Sequence, residues 1–286
     1  MKGIVYLNGE FMDANEAKVS AFDRGFIFGD GIYEVVPVLG GKLVDKDGFW
    51  QRFEQSLAAI ELSLPCEKSK FEEILNEVIS RNSLKEGGVY MQITRGVADR
   101  DFCFIKNLEP TCFIFCYEKE IINNPDAING ISVVSVEDIR WKRRDIKSIS
   151  LLAQCYAKEQ AVKKGAYEGF MVEDGLVTEA TSSSAFIIKD DVLITKPLSN
   201  EILPGIRRKV ILGFAEQAGL KIEQRAFSMD DVYNADEVFI SAATLLLLPV
   251  ISADGRAING GKVGKYAPKL RQMYVDKLKK EIENYN

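Results

Sequence analysis

Histidine is absent from this chain of 286 residues. That removes the Ser-His-Asp and Cys-His nucleophile systems and every histidine metal site. Any proton transfer falls to lysine, carboxylate, tyrosine, cysteine or water. The five cysteines, Cys66, Cys103, Cys112, Cys116 and Cys155, form no Cys-x-x-Cys pair, which excludes zinc ribbons and thioredoxin-like redox sites. No metal site is expected. Cys112 and Cys116 fall on one face of a strand-like run and are expected to be buried thiols in a reducing compartment. Long apolar segments are missing too. The longest, Ala242 to Ala253, is short of a membrane span and is broken by Pro249. The start, Met1 to Glu10, is too short and too soon polar for a signal peptide. Net charge is −5, with a pI of about 5.2 and no basic stripe interleaved with aromatics, so neither nucleic acid nor membrane is an expected partner. A cytoplasmic enzyme or binding protein is the expectation.

An apolar fraction of 47% and a charged fraction of 28% are ordinary for a globular protein, and the length allows two domains. Residues 3–8 and 32–44 read as strands, the second carrying a Gly40-Gly41 hairpin turn. Asp23 to Gly31 has three glycines, but their spacing is not the dinucleotide fingerprint and no helix is expected after them. Asp30-Gly31 reads as a turn into the strand. Asp47 to Leu62 has helical spacing, with Phe49, Phe53, Leu57, Ile60 and Leu64 on one stripe and Arg52 off it. Ser69 with Glu72 reads as a capping box opening a helix to Arg81. Val89–Arg95 and Thr111–Tyr117 read as strands. Polar Glu118 to Asn129 is the expected boundary, giving domains 1–118 and 127–286 joined by 119–126. Beyond it come a strand at 131–136, a helix from Leu151 to Lys164 and strands at 167–173, 176–179, 185–188 and 192–195. A helix from Gly205 to Ala218, strands at 221–224 and 237–241, and a last helix from Tyr266 to about Asn284 follow.

Four places carry candidate chemistry. Lys147 lies between the 131–136 strand and the 151–164 helix, flanked by Ile146 and Ser148. A lysine that loses hydration in a pocket acquires a depressed pKa and can form a Schiff base with an aldehyde, although most lysines are solvated surface groups. Glu179, followed by Thr181, Ser182, Ser183 and Ser184, is either a solvated acid before a polar loop or a carboxylate that keeps a heteroaromatic nitrogen protonated. Pro204-Gly205-Ile206-Arg207-Arg208 is either an ordinary helix entry or a phosphate nest. Arg52 is either a surface arginine or a planar fork for a phosphate. An amine for an aldehyde, an acid for a ring nitrogen and a nest for a phosphate together match pyridoxal phosphate.

Ser20 to Glu34, Ile139 to Ser148, Thr178 to Ser184 and Leu203-Pro-Gly-Ile206 resemble the motifs of the class IV (fold-type IV) aminotransferases. The likeness is to the D-amino-acid-specific members and covers nearly the whole chain. It implies an α+β fold with a small N-terminal α/β sandwich domain and a larger C-terminal β-barrel-like domain with helices. It also implies pyridoxal 5'-phosphate at the domain interface and a homodimer. Lys147 is carried over as the Schiff-base lysine and general base, Glu179 as the pyridinium partner and Arg52 as a phosphate ligand. Ser182 and Ser183 are nearby cofactor hydroxyls, and the backbone of Ile206 and Arg207 is the phosphate nest. Tyr33 lines the active site, and Arg100 binds the substrate carboxylate.

This sequence departs from the family pattern at four positions. Phe102 stands where a histidine pairs with the carboxylate-binding arginine. Arg207 replaces a threonine and Ser184 an asparagine. A phosphate-side threonine of the late loop falls at Ala243, with Thr244 beside it, so both are candidates there for substrate and cofactor contacts. The expected reaction is a ping-pong amino transfer between a D-amino acid and a 2-oxo acid. A branched-chain aminotransferase, an aminodeoxychorismate lyase and a pyridoxal-phosphate-binding protein without turnover are the alternatives.

Overall fold

The computed structural model describes residues 2–283. The chain divides into two compact units. Of the described residues, the first holds 2–120, 146–150 and 282–283, and the second holds the rest. The short stretch around Lys147 thus packs with the N-terminal unit although it lies far along the chain.

The first unit runs β1 (Ile4–Leu7), β2 (Glu10–Asp13), α1 (Arg24–Phe28), β3 (Gly31–Leu39), β4 (Lys42–Leu43), α2 (Lys46–Ala59), α3 (Lys68–Arg81), β5 (Glu86–Thr94) and β6 (Thr111–Glu118). Its six strands form one antiparallel sheet in the order β2-β1-β6-β5-β3-β4. Period-two alternation sorts the side chains. Ile32, Val36 and Val38 of β3, Val89, Met91 and Ile93 of β5, and Cys112 and Ile114 of β6 are fully buried. Tyr33, Tyr90 and Phe115 are half-buried on the opposite face and stack in sequence, with ring centroids 5.5 and 4.8 Å apart. Phe49, Phe53 and Leu57 of α2 and Phe71, Leu75 and Val78 of α3 complete the core.

Some readings change. Residues 32–44 make two strands, because Gly40 and Gly41 both take positive φ and fold the hairpin as expected. A short helix, α1, lies inside the glycine-bearing segment, capped by Asp23 through its Oδ1. Ser69 is inside α3 rather than its cap, and Glu72 is drawn away to accept from Trp50 Nε1 at 2.6 Å and Lys46 Nζ at 2.8 Å. Cys112 is buried as expected, whereas Cys116 is half-buried.

The second unit runs α4 (Asp126–Asn129), β7 (Ile131–Glu137), α5 (Leu152–Lys163), β8 (Glu168–Glu173), β9 (Leu176–Ala180), β10 (Ser184–Lys189), β11 (Val192–Thr195), α6 (Ile206–Gln217), β12 (Lys221–Gln224), α7 (Met229–Tyr233), β13 (Glu237–Ala242), β14 (Leu246–Ala253), β15 (Arg256–Ala257), a 3-10 turn (Asn259–Gly261) and α8 (Tyr266–Glu283). Residue 284, the expected end of the last helix, lies outside the described residues. The sheet order is β12-β11-β10-β13-β14-β7-β8-β9, with β15 on β14. It curls as a half-barrel, and Ala180 N–H donates to Ser183 O at 2.8 Å where β9 turns into β10. Phe170, Val177, Ile187, Ile240, Leu248 and Val250 fill the curl, with Phe227 and Val232 packed on them. Besides α1, the elements not anticipated are β2, α4, α7, β15, the 3-10 turn and β14. The last occupies most of the apolar run 242–253 and sits centrally between β13 and β7.

Candidate active site

Lys147 lies on an extended segment that adds to the start of β3. Tyr33 N–H donates to Lys147 O at 2.9 Å, Ile149 N–H donates to Gly31 O at 3.1 Å, and Lys147 N–H donates to Ser56 Oγ at 3.2 Å. The lysine backbone is therefore fixed from two elements. Its side chain is half-buried, and Nζ lies 4.2 Å from the centre of the Tyr33 ring. A cation–π contact of this kind holds an ammonium in place without a counter-ion. Tyr33 is in turn stacked on Tyr90, whose hydroxyl donates to Gln92 Oε1 at 2.9 Å.

Arg52 is not on a solvated face. It is buried and forks onto Glu34 of β3, Nε to Oε1 at 2.6 Å and Nη2 to Oε2 at 2.8 Å. Helical spacing put it off the apolar stripe, yet it is buried on α2 alongside Phe49, Phe53 and Leu57, because the acid that receives it lies on a strand 18 residues earlier and left no periodic trace. Arg95 and Arg24, both buried, converge on Asp30 at 2.8 and 2.7 Å. Arg24 also donates to Asp101 O. They anchor the loop 97–109, on which Arg100 and Phe102 are exposed. The Arg100 guanidinium lies 5.1 Å from the Phe102 ring and 5.5 Å from Phe28, so aromatic faces orient it where a histidine was expected.

In the second unit, Glu179 stands one residue before the end of β9 and is buried. Arg140 donates to it from Nη1, and the same guanidinium donates Nη2 to Asp138 at 2.7 Å. Leu203 N–H reaches Glu179 at 3.3 Å. Burial pushes the Glu179 carboxyl up, against the pull of Arg140 and the Leu203 amide. For Asp138 burial also pushes upward, but two bonds and the charge from Arg140, with the Thr178 hydroxyl, hold it below the usual carboxylate range. Sequence reading singled out Glu179 but missed Arg140 and Asp138. The available signal was Asp-x-Arg straight after a strand, since Arg140 N–H closes an Asx turn on Asp138 at 3.1 Å.

The hydroxyl run divides its tasks. Thr181 and Ser182 donate to Glu168, a fully buried acid also bonded to Gly169 N–H. Ser183 Oγ is buried and, among the described residues, without a partner, as is Ser241 Oγ on β13. Ser241 stands opposite Ser184 in the β10–β13 ladder, and Ser184 Oγ would lie 2.6 Å from a Cβ placed on Gly205. Gly205 is the N-cap of α6 and gives it no side-chain cap. Ile206 and Arg207 form the first turn, both buried. Ala243 and Thr244 lie in the tight turn from β13 to β14, directly after Ala242, the last residue of β13. The second unit thus gathers an acid, buried hydroxyls and an open helix start. Lys147, Tyr33, Arg52 and Arg100 belong to the first.

These residues sit within a known family. Residues 31–253 match the sequence model of amino-transferase class IV, and the chain belongs to that family. It is 41% identical over 284 residues, 99% of either chain, to a D-alanine aminotransferase of Staphylococcus aureus (strain N315). It is 38% identical over 262 residues, 91% of this chain and 92% of the relative, to one from Bacillus licheniformis. Among solved structures, a branched-chain amino acid aminotransferase from Escherichia coli superposes with a TM-score of 0.85 at 22% identity, covering 97% of this chain and 95% of that one. The fold is the two-domain α+β fold of the fold-type IV enzymes.

Proposed function

We propose that this chain is a pyridoxal-phosphate-dependent aminotransferase exchanging an amino group between a D-amino acid and a 2-oxo acid, with Lys147 as its catalytic lysine. The observation that carries the reading is the end-to-end likeness to relatives named D-alanine aminotransferase, in a chain that keeps the lysine, the buried acid and the open helix start.

The residues present fit the cofactor. Among the described residues, the start of α6 has no side-chain cap, and the buried hydroxyls of Ser183 and Ser241 have no partner. N–H groups and hydroxyls so arranged suit a phosphate. When bound, pyridoxal phosphate supplies an aldehyde for amines and a ring that accepts electron density. Ile206 and Arg207 would take its phosphate through backbone N–H groups. Ser182, Ser183 and Thr244 would be neighbouring contacts, and Arg52, oriented by Glu34, a further phosphate ligand. As a carboxylate Glu179 would hold a proton on the ring nitrogen, and Arg140 pulls it toward that form against the upward push of burial.

Lys147 holds the cofactor between turnovers and moves the proton of substrate Cα, its Nζ steadied against Tyr33. A primary amine serves both tasks, and the chain has no histidine to take the second. Arg100 would bind the substrate carboxylate through two N–H donors, and Ala243 and Thr244 are further candidate substrate contacts. Small-molecule amino and oxo acids are the partners, and a homodimer is the assembly. Incubating the purified protein with cofactor, D-alanine and 2-oxoglutarate is expected to give pyruvate and D-glutamate. Turnover of L-alanine alone, or pyruvate release from aminodeoxychorismate without amino transfer, would refute the D-specific transaminase.

A further inference from the structure

Arg271 of α8 is a buried arginine whose hydrogen bonds, among the described residues, go to four backbone carbonyls and to no carboxylate. Nη1 donates to Leu245 O at 2.7 Å and Leu247 O at 2.8 Å. Nη2 donates to Ile121 O and, at 3.4 Å, to Ile122 O. Burial pushes the guanidinium down to about 10, so it still carries its charge at neutral pH. The two carbonyls on Nη1 bracket Leu246, which is completely buried and has φ of +56°. A branched side chain rarely adopts that conformation, and such backbone persists only where neighbours over-determine it. The turn so held carries Ala243 and Thr244. It follows Ser241, whose hydroxyl has no partner among the described residues and stands across the ladder from Ser184, beside the start of α6.

We propose that Arg271 is the positioning residue of this anion site, fixing the 243–247 turn with one arm of its guanidinium and tying it to the 121–122 backbone with the other. The anion then depends on a side chain that never touches it. Only the identity of the anion as a cofactor phosphate rests on the reading above. The bonds from Nη1 and Nη2 serve different segments, which a planar fork can satisfy and a single ammonium cannot. The residue sits near the C-terminal end of the chain, 27 positions beyond Thr244, and no local motif marks it.

The test is hydrogen exchange on the full-length protein, with inorganic phosphate and pyridoxal phosphate as separate probes. In the wild type, amides of 245–247 and 121–123 are expected to open together. Arg271→Lys should speed exchange in both segments, leave β5 and β6 unchanged, and raise Kd for each probe about tenfold. It should raise KM for the amino donor more than it lowers kcat. A lower Tm with unchanged phosphate affinity and unchanged exchange in the two segments would overturn the proposal. If Arg271→Lys does not fold, independent opening of the two segments in the wild type overturns it just as well. Loss of cofactor attachment at Lys147 would sink the proposed function and leave this result standing.

Discussion

Arg140 holds two acids that burial pushes upward alike but that end on opposite sides of the usual carboxylate range. Asp138 is kept ionised by several bonds, while Glu179 has Arg140 and one amide set against complete burial. Replacing Arg140 with glutamine removes the nearest positive charge, so the Glu179 carboxyl is expected to move further up. A carbon-13 titration of the Glu179 carboxyl should read the shift, together with weaker cofactor binding. A Glu179 titration unmoved in Arg140→Gln would remove Arg140 from the site. Thiol reactivity follows the same physics of burial. Cys103 and Cys155 are exposed, whereas burial pushes the Cys112 thiol up to about 12 and Cys116 to about 11. Brief alkylation of native protein at about pH 8 should label Cys103 and Cys155 and spare Cys112 and Cys116, as read by peptide mass spectrometry.

At the level of elements, small features set where the functional loops begin. Gly96 takes φ of +98°, and a Cβ there would run into Glu109 O, across the neck of the loop that carries Arg100. Gly96→Ala should cost about 2 kcal/mol and lower kcat/KM by displacing that loop. Thermal unfolding and kinetics check both parts. Ser228 and Asp231 form a reciprocal capping box on α7, at 2.7 and 3.2 Å. Ser228→Ala should cost about 1 kcal/mol in chemical denaturation.

These elements also mark what could be read from residues alone. The Gly40-Gly41 hairpin was legible because consecutive positive φ values demand that residue type. Pro204-Gly205 announced α6. β14 was not legible, since Pro249 argues against a central strand. It is tolerated because Pro249 faces Phe239 of β13 one residue before β7 joins at Val250. The lysine, the acid and the helix start of the candidate site were visible as motifs. Glu34, Arg140, Asp138 and Arg271 were not, because periodicity gives faces and not partners.

For the molecule as a whole, pH should act through the buried acids. Asp138 titrates below its ordinary range when folded, so the stability it contributes is complete above that range and fades as pH falls through the folded value. Glu179, raised by burial, contributes in the opposite sense. Its share is present in acid and lost as pH rises through its folded value. Asp138→Asn should therefore lower Tm at about pH 7 and flatten the loss of Tm as pH falls below about 4. No helix among the described residues is long and apolar enough to cross a membrane. The central assignment is the amine on which the cofactor is carried. Borohydride reduction of the protein loaded with pyridoxal phosphate, followed by peptide mapping, should place the pyridoxyl label on Lys147 alone. A label on any other lysine, or none on loaded protein, contradicts it.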